Sequence, residues 1–381
     1  MIYSTFVKAD TTLYEGAPGT PDALMRWTNT GNDEILEVRK IVSSSATAAT
    51  YLSRALLRFD IDWTKINSGA AWSAKAYLNL YTTEVSQLDD NEPIFTIQPL
   101  AESFSEGSGR ENNKPQTLKG ASWKYRNGEY NTGTEWTTAS YAANTTGSWE
   151  QGVHSGGGSW RVENYTDVSY TNETEDLRVD VTDIATAWSS STYDNNGFIV
   201  SLTSSQETDS NRYGSFKFFS KQTHTIYPPR LEIMWDDHSH TGTDALEELD
   251  MSDTEAVFFY LKNNRGTYKR GSKIRFWCIG REKYPVKTHG TTSAEHAIKP
   301  LSGSVLQYSI LDAKTGETVI PYDSAYTKVS ANGSGNYFEI ISDSLFEERY
   351  YKIQLRYSTS LPANKLDFSY YDIKDKFKVV R

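Results

Sequence analysis

The sequence predicts an all-β protein built as two tandem β-sandwiches, and three observations carry that expectation. The 381 residues include 25 Tyr, 15 Phe and 10 Trp but only four Met, and with abundant Thr, Ser, Asn and Gly this favours strands and turns over helices. Short runs of alternating apolar and polar residues recur between turn signals along most of the chain. A single stretch, "DVTDIATAWSS", breaks that period for a helical one.

In chain order, "DEILEVRKIV" (33–42) alternates Ile35 with charged neighbours. The stretch "YLSRALLRFDIDW" (51–63) is the most regular. Tyr51, Ser53, Ala55, Leu57, Phe59 and Ile61 share one face of a strand, and Arg54, Leu56, Arg58, Asp60 and Asp62 share the other. The apolar face belongs in a core, and the second face reads as a cross-strand ladder of ion pairs rather than a catalytic pair. "AKAYLNLYT", "EPIFTIQPL", "GFIVSLTSS", "GSFKFFSKQ" and "PPRLEIMWDD" continue the strands. Around 182–189, Thr182 as N-cap, Asp183 in the first turn and Ile184 four residues before Trp188 predict one short helix. Between Ser103 and Thr174 a long insertion rich in Gly, Asn, Thr and Trp, with "NTTGSWEQG" and "GGGSW", shows no clear period; such a stretch is a functional excursion or surface packing.

Composition changes at Asp236–Glu255, where eight of twenty residues are acidic, so the expected domains are 1–237, an acidic linker at 238–255, and 256–381. Beyond the linker, "AVFFYLKN", "SKIRFWCIG", "SVLQYSILDA", "ETVIPYD", "NYFEIIS", "RYYKIQLRY" and "DKFKVVR" read as seven strands, with "DAKTGE" as a hairpin connection. Seven strands in roughly 125 residues predict a small immunoglobulin-like sandwich.

A formal charge of −10 argues against nucleic acid as a partner. No apolar run approaches the roughly 18 residues of a membrane helix, and "MIYSTFVKAD" has no basic segment followed by an apolar one, so the expectation is a chain made in the cytoplasm without membrane insertion. One cysteine, Cys278, excludes an internal disulfide framework and reads as a buried structural thiol. His238 and His240 lie beside Asp236 and Asp237, but in an acidic linker they read as solvated side chains, not a metal site. No GxSxG elbow, HExxH, P-loop, dinucleotide fingerprint or EF-hand spacing occurs. The expectation is therefore no catalytic, cofactor or metal residues, and no enzyme.

The candidate site is aromatic. Trp123, Trp136, Trp149 and Trp160, with Tyr125, Tyr130 and Tyr141, recur amid Gly, Asn and Thr. Three readings stay open: packing of the insertion onto its own sandwich, an interface with a neighbouring subunit, or a platform for sugar rings.

Taken in order, "SRALLRFDI", "AYLNLY", "VDVTDIATAW", "NNGFIVSLTSS" and "FFSKQTHTIYPPRLEIMW" resemble the DNRLRE-type β-sandwich domain over about Met1 to Asp237. That family occurs in secreted bacterial proteins and in phage virion proteins, and the resemblance implies a jelly-roll-like sandwich. "IGREKYPVKTH", the stretch from "LSGSVLQYSILDAKTGETVIPYD" to "NYFEI", and "FEERYYKIQLRY" resemble the terminal domain of structural proteins from T4-like phages of marine cyanobacteria. The two resemblances imply a virion protein made in the host cytoplasm; the expectation is a non-enzymatic part in multiple copies or as a homo-oligomer, docked on other virion proteins, and two tandem sandwiches suit a projecting or collar-like tail, neck or baseplate position. The alternative they leave is a virion adhesin that binds glycans of the host surface.

Overall fold

The computed structural model of the protein describes all residues except 17–24, 43–49, 67–73, 87, 112–114, 130, 138–146, 150–155, 172–175, 244–245, 286–298, 302–304 and 362–364. It is all-β, with two short α-helices among the described residues, and it divides into two compact units. The larger comprises Thr5–Thr64 and Lys75–Glu232, and the smaller comprises Met1–Ser4, Lys65–Ala74 and Ile233–Arg381.

In the larger unit the Thr50–Phe59 strand lies at the centre. It pairs antiparallel with Val7–Tyr14, part of the Ile2–Tyr14 strand, on one side. On the other it is shared, with Ala55–Leu57 against Phe198–Leu202 and Thr50–Ser53 against Ile35–Val42. From Phe198–Leu202 the sheet runs outward through Ile94–Pro99 to Thr166–Ser169 at its edge. Gly214–Phe219 bridges Ile35–Val42 to Thr82–Ser86. Because the central strand is covered on both faces, its alternation does not separate inside from outside: Leu52 through Leu57 are all buried. The core beneath is aromatic, with Phe95 edge-on to Tyr170 and Phe216 at 5.7 and 5.0 Å.

The helix falls at Thr182–Ser189, with Ile184 and Trp188 buried and Asp183 in the first turn. Its cap is Val181 rather than Thr182. Thr182 is instead the first helical residue, its N–H donating to Asp180 Oδ1 at 2.9 Å and its hydroxyl accepting from the Ala76 N–H at 3.0 Å. A second helix, Ser204–Thr208, replaces the end of the expected "GFIVSLTSS" strand, which stops at Leu202. Thr203 caps it, accepting from the Gln206 N–H.

The smaller unit is a two-sheet sandwich. One sheet orders Val257–Lys262, Lys273–Glu282, Gly335–Ile341 and Ser330–Asn332; the other orders Thr267–Lys269, Lys365–Val380, Tyr350–Leu361, Leu306–Asp312 and Thr318–Ile320. All seven expected strands are present, and two short ones, Thr267–Lys269 and Ser330–Asn332, join them. Thr267–Lys269 runs parallel to the last strand. Inward residues of the two sheets meet as stacked rings, Tyr308 on Phe338 at 4.1 Å and Phe276 against Phe377 at 4.9 Å. Cys278 is fully buried beside them, and burial pushes its thiol well above the ordinary range. The "DAKTGE" hairpin closes on Asp312, whose carboxylate accepts from the N–H groups of Lys314 and Thr315 at 2.8 and 2.9 Å.

The acidic 238–255 segment, expected as a linker, is built into this unit. Leu249 and Met251 are buried, the Leu249 N–H donates to Pro300 O at 3.2 Å, and His240 bridges Ala331. Apolar residues spaced through a charged run anchor it, a feature that a count of charges conceals.

Candidate functional site

The insertion is pinned to its own sandwich by a buried cation. Arg54, assigned by alternation to a charged face, is 1% exposed and lies between two indoles, its guanidinium carbon 4.9 Å from the Trp123 ring and 4.8 Å from the Trp160 ring. Its Nε and Nη2 donate to the two carboxylate oxygens of Glu207 at 2.9 and 2.6 Å, and Nη1 donates to Gly157 O at 2.6 Å. Planar, bidentate pairing of a cation packed against two indole rings is geometry that arginine alone supplies. The expected Arg/Asp ladder is thus corrected. Arg58 lies over Phe104, Asp60 makes only a 3.9 Å exposed pair with Lys8, and Asp62 accepts from Thr64. The physical reason is that both faces of the strand are covered, so Arg54 takes its partner from a distant helix.

"GGGSW" follows from the same contact. Gly157 has φ +76°, and a Cβ there would lie 2.6 Å from Arg54 Nη1 and 2.8 Å from the Trp123 ring. A second knot sits at Asn29. Its Nδ2 donates to Glu106 O and Ala121 O at 2.7 and 2.8 Å, and its Oδ1 accepts from the Gly109 N–H at 2.8 Å. Together these bonds hold the start of the insertion with no regular element.

Three of the candidate tryptophans and one tyrosine are therefore core. Trp123, Trp136, Trp160 and Tyr125 are buried, and the three tryptophans share a cluster with Leu13, Leu56 and Ile199. They present no ring face to a sugar or a neighbouring subunit. Trp136 Nε1 also donates to Ser122 O at 2.9 Å. Trp149 lies in a described strand that pairs with Gly156–Trp160, while Tyr130 and Tyr141 lie outside the described residues.

Titratable groups gather in two further places on the larger unit. Asp10, 1% exposed, accepts from the Lys221 N–H at 2.6 Å. Burial, with the Glu106 charge adding to it, pushes its carboxyl up to about 7 against the opposing Lys221 contacts. Lys221 Nζ meets both Glu106 oxygens at 2.9 and 2.8 Å. A cavity of about 290 Å³ is lined by Asp33, Glu37 and Glu111 together with Arg110 and Lys217. Burial raises the carboxyls of Asp33 and Glu111 above the ordinary range. Among the described residues no group of three or more His, Cys, Asp or Glu is placed to hold a metal. His240 Nε2 instead meets the Thr243 hydroxyl at 2.6 Å.

The exposed aromatics lie elsewhere. On the smaller unit, strand alternation sends Val257, Phe259 and Leu261 inward and Phe258, Tyr260 and Lys262 outward. The neighbouring strand adds Arg275, Trp277 and Arg281 to that outer face. The Arg281 guanidinium lies 5.6 Å from the Phe258 ring and 5.9 Å from the Tyr260 ring, and that of Arg275 lies 4.6 Å from Tyr337, which packs on Trp277. On the second sheet Arg356 lies between Tyr322 and Phe368 at 4.5 and 4.3 Å, next to Tyr370, which is 56% exposed. Arginine stacked among aromatics is the composition of protein docking surfaces. The signal was in the sequence, as aromatics on the polar phase of "VFFYLK" and "RFWCIGR".

No family model matches the chain, and no curated protein does. Among solved structures it is similar to the crystal structure of a DUF4785 family protein from Legionella pneumophila, at 7% identity and a TM-score of 0.18, over 93% of this chain. The chain spans 64% of that protein's length, and a likeness so slight carries no argument.

Proposed function

We propose that the chain is a non-enzymatic structural protein of a tailed-phage virion, a tail, neck or baseplate component made in the host cytoplasm and held in the particle by docking on other virion proteins. The observation that carries this reading is the arginine and aromatic face of the smaller unit. There Phe258, Tyr260, Arg275 and Arg281 stand on the outer side of a strand pair whose inner side is core. Rings clamped against guanidinium groups lose little side-chain freedom on association, which favours tight contact from a small area. The order of strand motifs that resembles virion proteins supports the same reading. Repetition by particle symmetry would multiply weak contacts into stable assembly.

The glycan-platform alternative lost the rings it relied on when Trp123, Trp136 and Trp160 went to the core. Quantitative mass spectrometry of purified particles tests the proposal. The expected result is this chain at a fixed multiple of the known structural proteins; absence from washed particles overturns it.

A further inference from the structure

The two units differ sharply in charge. The larger carries 29 acidic and 18 basic residues, and the smaller 20 acidic and 21 basic, so nearly all the net negative charge of the chain sits on one of them. Within that imbalance, each unit has a local feature whose charges are unanswered.

On the larger unit an open cavity of about 360 Å³ is lined by Asp89, Asp90 and Glu92, with Leu88, 36% exposed, on its wall. Among the described residues none of these three carboxylates has an ion-pair partner. On the smaller unit Arg281 is exposed, oriented by the rings of Phe258 and Tyr260, and likewise without a carboxylate among the described residues. Phe258 is 38% exposed and stands on Val257–Lys262, an edge strand of its sheet.

We propose that copies of this chain associate head to tail, Arg281 with Phe258 and Tyr260 of one copy docking into the Asp89/Asp90/Glu92 cavity on the larger unit of the next. The inference rests on the docking reading above and names the partner of that face. A guanidinium already positioned by two rings gives up little freedom when carboxylates close on it, and leaving water costs it less than it costs an ammonium. The Leu88 side chain supplies apolar area for the aromatic edge. The cationic Arg281 face and the acidic cavity attract locally, and that attraction sets the sign of the salt dependence. Because the two surfaces differ, the contact is heterologous, and repeated copies form a ring or an open string rather than a closed two-fold dimer.

Sedimentation velocity on the full chain, at low and high salt over a concentration series, tests this. The wild-type chain is expected to grow beyond dimers at low salt and to dissociate at high salt. Arg281→Glu and the pair Asp89→Lys, Asp90→Lys should each remain monomeric. Their equimolar mixture should again grow beyond dimers, since the native arginine face of one variant meets the native cavity of the other and the two charge-reversed surfaces meet each other. This mixture also shows that both variants fold. Combining all three substitutions in one chain should restore association.

A wild-type chain monomeric under every condition, a mixture that stays monomeric, or Arg281→Glu chains that associate like wild type would each overturn the head-to-tail contact. Particles that contain the chain, combined with a strictly monomeric chain in solution, would sink this contact alone and leave the virion reading standing.

Discussion

Arg54 is one buried charge on which three segments converge: the central strand, the second helix through Glu207, and the insertion through Gly157, Trp123 and Trp160. Removing one partner leaves the other ionised and dry. Arg54→Leu is therefore expected to cost about 3–5 kcal/mol in denaturant unfolding, and adding Glu207→Leu should recover part of that loss. Asp10 behaves in the opposite sense. Its carboxyl is raised to about 7, so the folded chain keeps a proton that the unfolded chain releases from about pH 4 upward. Asp10 should then weaken the fold progressively as pH rises through that window, with the full penalty above about 7. Asp10→Asn removes the titration, and its stability relative to wild type should rise by ~2–4 kcal/mol between pH 4 and pH 8.

Asp312 shows the ordinary case. Burial opposes its ionisation, but Arg349 at 2.6 Å and the turn N–H groups hold the carboxyl down to about 2. Asp312→Asn should cost about 2 kcal/mol at neutral pH, and that cost should vanish as acid protonates the wild-type carboxylate between about pH 4 and pH 2. Of these residues the sequence marked only Arg54, and it assigned the wrong partner. Glu207 lies 153 positions away and meets it only through the fold.

At the scale of elements, alternation found many of the strands but missed Ile2–Tyr14, which pairs with the central strand. Every apolar run singled out in the smaller unit is a strand, and in the Thr182–Ser189 helix the error is one residue at the cap. The insertion was opaque for a definite reason. Its order comes from side chains such as Asn29 bonding to backbone groups 77 and 92 positions away, and no local period encodes such bonds. Asn29→Ala would leave the carbonyls of Glu106 and Ala121 and the N–H of Gly109 without that partner, at an expected cost of about 2–4 kcal/mol. Hydrogen exchange should show the loss concentrated at 105–121, whereas equal acceleration across the whole larger unit would contradict a local role. Gly157→Ala tests the other knot: its Cβ has no room between Arg54 and Trp123, and near-wild-type stability would contradict the packing described.

For the whole molecule, a boundary read from charge alone was drawn too late. The smaller unit includes Leu249 and Met251 from the acidic segment, and each buried side chain of that kind contributes about 1.5–3 kcal/mol. A fragment of residues 256–381 should therefore be measurably less stable to urea than one of residues 236–381. The proposed docking face was legible in composition but not in position, because alternation gives the outer side of a strand without saying that arginine and ring share it. The reading of the chain as a particle component turns on that face being covered in the assembled state. Cryo-electron microscopy of the intact particle tests this most directly. Symmetric density into which both units fit is expected, with Phe258, Tyr260 and Arg281 buried against protein; particles without such density, or density in which that face stands open to solvent, would rule the reading out.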